Sequence, residues 1–312
     1  MYYFIVNLTS RTGKARKIWI ALERELQKKG VPYEAYITQY KGHARELANA
    51  LCERSVKRKE EGQRAVLVVV GGDGTANEVI NGMRYMDKVL FGYIPTGSGN
   101  DLGRGLGISN HPIEALNGIL EAREDSPMDL GCVTDEKGTS RYFCISSGIG
   151  IDADVCRMAL TFRLKTFLNH VKLGSLTYVL LTVKALFTMP TTEVQAVFDQ
   201  GAPKTFSKMI FMAGMNHPWE GGGVPMAPKA NAFDGKLSVC CVHGIPKWKA
   251  FFLLPVLVKG KHEMRKGFDV VDCERYELRL KTPMVLHGDG EYLGEQKVIR
   301  YECLNGRLRV LK

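Results

Sequence analysis

Residues 71–75 read Gly-Gly-Asp-Gly-Thr, directly after the unbroken apolar run Ala65–Val70 and directly before a helical pattern over Asn77–Met83. Strand, glycine loop and helix in that order make a phosphate-binding arrangement. Glycines admit close backbone approach, and the N–H groups at a helix start face the anion. Thr75 and Glu78 also stand at capping-box spacing. The competing reading is a tight turn before a capped helix, which needs neither three glycines nor a central acid. No G-x-x-x-x-G-K-[ST] motif occurs, so this is not a Walker A loop. A second glycine-rich loop, Pro95–Arg104, follows the next strand signal. On a parallel sheet, neighbouring strand-end loops line one crevice, and two such loops together point to a nucleotide.

The elements that must carry these loops are legible in the first ~130 residues as alternating strands and helices. Strand signals cover Tyr2–Asn7, Tyr33–Ile37, Ala65–Val70 and Val89–Ile94; helical spacing covers Arg16–Lys29 and His43–Lys59. After Asp129 the pattern becomes β-rich, with two helical inserts around Asp154–Met189 and Pro246–Lys261 and a hairpin signal at Asn305–Gly306. The expectation is an α/β plus β chain. A Rossmann-like parallel α/β domain spans 1–130, onto which the C-terminal tail can pack back. A β-sandwich-like, β-rich domain spans 131–312.

The ordered motifs resemble the diacylglycerol kinase catalytic-domain family, which includes bacterial lipid kinases and sphingosine kinases. They are Gly71–Thr75 with Thr75–Gly82, Pro95–Gly107, Asn7–Ser10, Thr38 with Gly42–Ala44, Met128–Gly131, Ser147–Ala153, Phe233–Leu237 and Asp289–Glu291. The family's first loop usually reads Asn-Pro; here Leu8 takes the proline's place, which loosens the loop because proline fixes φ. The resemblance implies a two-domain fold with ATP in the cleft. It carries nucleotide contacts onto Asn7, Thr9, Thr38, Gly72, Asp73, Gly74, Thr75, Asn77, Glu78 and Ser98. Asp73 would support the catalytic Mg2+, Glu291 would accept the proton of the acceptor hydroxyl, and Asp289 would support the site or the metal. A second, structural magnesium is implied at Asp234, with Asn231 and the Lys236 backbone oxygen. The plain alternatives are solvated acids on a hairpin turn for Asp289–Glu291 and a simple Asp-Gly turn for Asp234.

Lys and Arg number 43 against 33 Asp and Glu, a net charge of +10, which favours anionic partners. No recognised nucleic-acid motif accompanies the charge, so no nucleic-acid partner is expected. The eight cysteines form no C-x-x-C pair and read as reduced thiols. With no signal peptide and no apolar stretch of the ~18 residues a spanning helix needs, the expected location is cytoplasmic and peripheral, at the inner face of the membrane. Lys247-Trp248-Lys249, the apolar Ala250–Leu254 and Lys259, Lys261, Arg265 and Lys266 would suit an anionic lipid surface. An amphipathic helix with a solvated charged face is the rival reading. His43, His217 and His287 show no metal spacing; they read as scattered polar positions, with a place lining the cleft the alternative for His217 and His287. The function expected is ATP-dependent phosphorylation of a lipid hydroxyl, with diacylglycerol the leading acceptor; phosphatidylglycerol, sphingoid bases and other polyol lipids stay open. The alternatives are an NAD kinase-like or other small-molecule kinase, and a nucleotide-binding regulator without turnover. A homodimer is left open.

Overall fold

The computed structural model describes residues 1–10, 14–57, 64–161 and 183–312. Four parallel strands, β1 (Tyr2–Val6), β2 (Tyr33–Ile37), β3 (Ala65–Gly71) and β4 (Val89–Pro95), lie in the order β4-β3-β1-β2. The run Val66–Val70 is buried throughout because helices cover both faces of the sheet. The two-residue strand period then sorts its residues. Phe4, Val6, Val68 and Val70 meet Trp19, Leu22 and Leu26 of helix α1 (Lys14–Lys28) and Leu116 of α5 (Pro112–Glu121). Tyr3, Ile5, Leu67 and Val69 meet Ala48 and Leu51 of α2 (His43–Lys57) and Val79 and Ile80 of α3 (Asp73–Gly82).

The second half is antiparallel and packs its own apolar core. Its long strands are β15 (Arg275–Gly288) and β16 (Glu291–Leu311), flanked by β5 (Ser126–Thr134), β7 (Ser146–Gly150), β8 (Thr192–Phe198), β10 (Phe211–Met215) and β13 (Leu237–Val242). The end of β16 leaves this layer: Val310 and Leu311 pair in parallel with Phe91 and Gly92 of β4. One hydrogen-bonded sheet thus runs through both halves, and the C-terminus lies against the first half's core.

Several local expectations are corrected. Asn305–Gly306 is not a hairpin turn, because both sides of it pair with the same strand: Leu304 faces Leu130 and Leu308 faces Met128. The extra residues bulge outward opposite Asp129, whose carboxylate accepts the Gly306 N–H at 2.7 Å. The capping box is not formed, since α3 begins at Asp73 with Gly72 as N-cap. That start places Thr75 inside the first turn and leaves Glu78 to bond elsewhere. Within the β-rich half, Lys204–Met215 is not one strand but two, Lys204–Met209 and Phe211–Met215, broken at Ile210. The helical insert Asp154–Met189 begins as α6 (Ile151–Thr161), and residues 162–182 lie outside the described residues, as do Arg58, Lys59 and Gly13. No helix among the described residues is long and apolar enough to cross a membrane.

Helix α3 carries the first glycine loop, and its position depends on contact with α2. A Cβ on Gly82 would stand 2.1 Å from the Arg45 carbonyl oxygen. Backbone cannot yield as a side chain can, so Gly82→Ala is expected near the upper end of overpacking costs, about 2–3 kcal/mol of unfolding free energy. Urea unfolding reads this directly, and an unchanged midpoint would show that the two helices separate freely.

Candidate active site

The loops after β1, β2, β3 and β4 gather at one edge of the parallel sheet. The two glycine loops touch: a Cβ on Gly97 would lie 2.6 Å from Gly72 Cα, so only glycine fits there. Asn7 donates from Nδ2 to Thr75 Oγ1 at 3.0 Å, and its Oδ1 accepts the Thr9 N–H and hydroxyl at 3.0 and 2.7 Å. Ser10 and Thr96 join their hydroxyls at 2.9 Å. Thr38 donates its N–H to Val6 O, and the Gly42 N–H is held by Glu78 Oε1 at 3.0 Å. Gly74 and Ser98 remain exposed at the loop tips. Every expected nucleotide contact therefore lies on or beside this crevice.

Asp73 sits at its floor. Its carboxylate accepts the N–H groups of Asp101 and Leu102 at 3.1 and 3.2 Å and the Tyr93 hydroxyl at 3.3 Å. Asp101 is buried too; it pairs with Arg104 and accepts the Gly222 N–H at 2.7 Å. The two carboxylates flank Gly99, reaching within 3.2 and 3.6 Å of where a Cβ would stand. Burial pushes the Asp73 carboxyl above its ordinary pKa, and the charges of Asp101 and Asp289 add to that. Neighbouring hard oxygen donors in a partly desolvated site fit a Mg2+ ion.

The Asp289-Gly290-Glu291 motif faces this floor from the other half. Gly288 pairs with Glu291, so Asp289 and Gly290 form a two-residue hairpin turn with φ of +48° and +80°. Asp289 is saturated with donors. It accepts N–H groups from Cys144, Ile145 and Ser146 at 2.8, 2.8 and 3.0 Å, and Asn77 Nδ2 of α3 at 2.8 Å. The Cys144 thiol adds another contact at 3.0 Å. Glu291, by contrast, lies at the mouth, partly exposed and ion-paired with Lys41 from the loop after β2.

A trio around one buried histidine went unrecognised in the sequence. His287, read there as a scattered polar position, is fully buried, with Nε2 3.0 Å from Asp152 Oδ2 and 3.7 Å from Glu220 Oε1. Its Nδ1 accepts the Gly290 N–H at 3.3 Å. Burial alone would lower the His287 pKa, but Asp152 and Glu220 reverse this and raise it; burial raises that of Glu220. Only the Asp152 motif was visible as sequence, because the three residues come from α6, the short strand Trp219–Glu220 and β15. His217 is also buried, its pKa pushed down to about 4 by burial, and packs on Gly105.

Asp234 lies away from the cleft. Its Oδ1 accepts the Lys236 N–H at 3.0 Å, and the next amide, Gly235, bonds Asp129 Oδ2 at 2.7 Å. Asn231, Asp234 and Lys236 are all exposed. The Asp234 carboxylate is an exposed hard oxygen donor of the type that suits magnesium, and among the described residues its one bonded neighbour is the Lys236 N–H.

A family model described as "Diacylglycerol kinase catalytic domain" matches residues 1–133, and one described as "YegS C-terminal NAD kinase beta sandwich-like domain" matches residues 145–312. The chain belongs to the diacylglycerol kinase-like lipid kinase family. It is 30% identical over 298 residues to "Putative lipid kinase YtlR" of Bacillus subtilis, covering 94% of each chain. A diacylglycerol kinase of Staphylococcus carnosus is 26% identical over 292 residues, covering 93% of this chain and 88% of its own. A crystal structure of a diacylglycerol kinase from Bacillus anthracis has the same fold, with TM-score 0.70 at 17% identity over 99% of this chain and 96% of that one. In this lipid kinase fold the first matched segment holds Asp73, and the second holds the turn that latches onto α3.

The latch gives a stability test. In Asp289→Asn one end of the side chain becomes a donor facing backbone donors, so at least one buried N–H loses its partner, at about 1–3 kcal/mol each. Urea unfolding should show a loss of about 2–4 kcal/mol. Wild-type stability in this variant would mean that water, not Asp289, satisfies residues 144–146.

Proposed function

We propose that the protein is an ATP-dependent lipid kinase that phosphorylates a lipid hydroxyl, with diacylglycerol as leading acceptor and phosphatidic acid as its product. The observation that carries this reading is the placement of Asp73 and Asp101 around Gly99, beneath two touching glycine loops and opposite the Asp289–Glu291 turn. The loops of the first half bind the triphosphate through backbone N–H groups, with Asn7, Thr9, Thr38, Gly72, Gly74, Thr75, Asn77, Glu78 and Ser98 shaping the crevice. Asp73 holds the magnesium side of the nucleotide, and Asp289 fixes the geometry. Mg2+ held there would supply neutralisation of the phosphate charge. Glu291 takes the acceptor proton as the O–H bond breaks and the O–Pγ bond forms. The bond from Pγ to the β-bridging oxygen breaks, and ADP leaves with the electron pair. NAD kinase-like chemistry and a silent regulator predict no labelled lipid from labelled ATP, which separates them from this reading.

The protein would work at the inner membrane face. Helix Lys247–Val258 exposes Trp248 and Phe252, and Met264 beyond it is 96% exposed. Lys249, Lys259, Lys261, Arg265 and Lys266 flank these apolar groups in sequence and are exposed, while Lys247 is half-buried and donates to the Met189 carbonyl oxygen. Aromatic tips with flanking lysines suit an anionic bilayer surface.

Two outcomes follow from the assigned roles. Asp73→Ala should lower turnover at least about 10²-fold, as loss of an electrostatic transition-state partner does. Glu291→Gln should cost roughly 10²–10⁴-fold, the usual contribution of a general base, with the lower end favoured by late proton loss. ATP affinity by calorimetry should hold in Glu291→Gln; lost affinity with full turnover at saturating ATP would make Glu291 a nucleotide ligand. For the membrane face, binding to acidic vesicles should weaken as salt rises, because exposed charges are screened within about 8–10 Å near physiological ionic strength. Neutral substitutions at Lys247, Lys249 and Lys261 should weaken it further, and unchanged binding in that triple variant would leave a merely solvated helix.

A further inference from the structure

Residues 219–225 form a hairpin that stands apart from the main sheet. Trp219–Glu220 pairs with Val224–Pro225, and among the described residues these two strands make a sheet of their own. An isolated two-stranded ribbon is marginal by itself, so what touches its two ends decides where it lies. Between the strands run Gly221, Gly222 and Gly223, with φ of +65°, +89° and +104°. Three successive residues in the left-handed half of φ favour glycine, and they leave the tip without a side chain. The Gly222 N–H is donated to Asp101 Oδ2 at 2.7 Å, and Gly222 Cα stands 3.8 Å from where a Cβ on Gly99 would be. A Cβ on Gly223 would meet the Arg104 guanidinium carbon at 3.2 Å. The hairpin thus lays bare backbone against the floor of the cleft, where a side chain would press on the Asp101–Arg104 pair.

The other end of the hairpin is seated on the segment that carries the exposed aromatic and basic groups. The Ala227 N–H closes the base on Pro218 O at 3.3 Å. His262 is fully buried and donates from Nε2 to Met226 O at 3.0 Å. Gly260 ends helix Lys247–Val258 with its N–H on Leu257 O. A Cβ on Gly260 would stand 3.1 Å from Pro225 Cγ and 3.3 Å from Pro228 Cγ, so the helix end packs closely on the hairpin. Val224 shares one apolar core with Leu253, Leu254 and the buried Leu257 of that helix. Lys229 adds an ion pair with Glu263 at 2.8 Å. Gly260, His262 and Glu263 lie in the same short loop as the exposed Lys261, Met264, Arg265 and Lys266. One ribbon of seven residues therefore touches the catalytic floor with its tip and the proposed lipid-facing segment with its base.

We propose that this hairpin is a strap: docking of the Lys247–Lys266 segment on an anionic lipid surface holds its base, and its Gly222 N–H thereby holds Asp101 in position for magnesium-bound nucleotide. This rests on the lipid kinase reading and its membrane face, and adds how the surface reaches the site. Gly222 is a positioning residue, acting through Asp101. Lipid surface and nucleotide both favour the seated strap, so each tightens the binding of the other, and by linkage the factor is the same in both directions. The sign sets this apart from plain electrostatics. A bound nucleotide adds negative charge, which by itself weakens attraction to an anionic surface.

The test measures sedimentation with vesicles of phosphatidylserine and phosphatidylcholine, with and without saturating ATP and Mg2+, and with no acceptor lipid present. ATP with Mg2+ should lower the vesicle Kd of the wild type by at least about 5-fold, the low end of ordinary coupling between sites. His262→Ala removes the donor to Met226 O, and Gly260→Ala pushes on Pro225. Each should still bind vesicles and nucleotide, but the ratio of vesicle Kd values without and with nucleotide should fall to one. Calorimetry with ATP and Mg2+ reports that a variant is folded, and one folded variant is enough. A wild-type ratio of one or less overturns the strap, and so does a wild-type ratio preserved in the folded variants. If the wild type binds ATP but not acidic vesicles, the membrane face fails and the strap falls with it. If it binds vesicles but not ATP, the kinase reading fails first.

Discussion

The carboxylate of Asp289 is the point on which the cleft depends. It gathers three successive backbone N–H groups from residues 144–146 and the Asn77 amide of α3. The strand break at Cys144–Ile145 would leave those N–H groups unpaired, and unpaired buried donors are costly. Satisfying them from a turn in another strand fixes that turn in all directions. Asn77 then ties it to the helix that carries Asp73, and Asn81 reinforces the link by pairing with both the N–H and C=O of Tyr142. The distance between the nucleotide floor and the turn is thus set by hydrogen bonds, where hinge-like loops could not hold it. The price of this arrangement is backbone strain at Asp289, whose φ of +48° is one that aspartate tolerates better than most residues.

Around that latch the cleft concentrates negative charge in a chain that is net positive. Asp73, Asp101, Asp152, Glu220, Asp289 and Glu291 converge, and their mutual repulsion and burial raise the pKa of Asp73 and Glu220. Among the described residues, Lys41, Arg104 and His287 oppose them directly. A nucleotide polyphosphate would meet repulsion here without a cation, so the geometry explains why ATP would arrive with magnesium. The basic surplus lies elsewhere, much of it along residues 247–266, where it can orient the protein toward an anionic surface without disturbing the cleft.

What the sequence made legible follows from where the signals are local. β-branched runs, glycine loops and the turn at Asp289–Gly290 each announce themselves within a few residues, so the parallel sheet and the loops that meet at its edge could be read. The Asn305–Gly306 bulge could not, because an Asn-Gly pair favours a turn locally and only the register with β5 and the Asp129 carboxylate overrule it. The capping box failed for a similar reason. Gly72 can serve as N-cap, so the helix starts earlier and releases Glu78 to hold Gly42. The His287 trio was the least accessible, since its members stand far apart in sequence and no spacing rule links them; its Asp152 lay in a recognised motif, but its partners did not.

The two halves therefore differ in how freely they can change. The nucleotide crevice is built from backbone in contact with backbone: Gly72 against Gly97 leaves no room for a side chain, and Asn7 and Thr75 bridge loops that cannot move apart without losing both. The opposite wall is made of side chains on strands and a helix start, with His287 held between Asp152 and Glu220. A fold of this kind can hold its phosphoryl donor constant and vary its acceptor through a few residues. On the reading offered for this protein, the acceptor hydroxyl is met from that half, where Glu291 follows the latched turn.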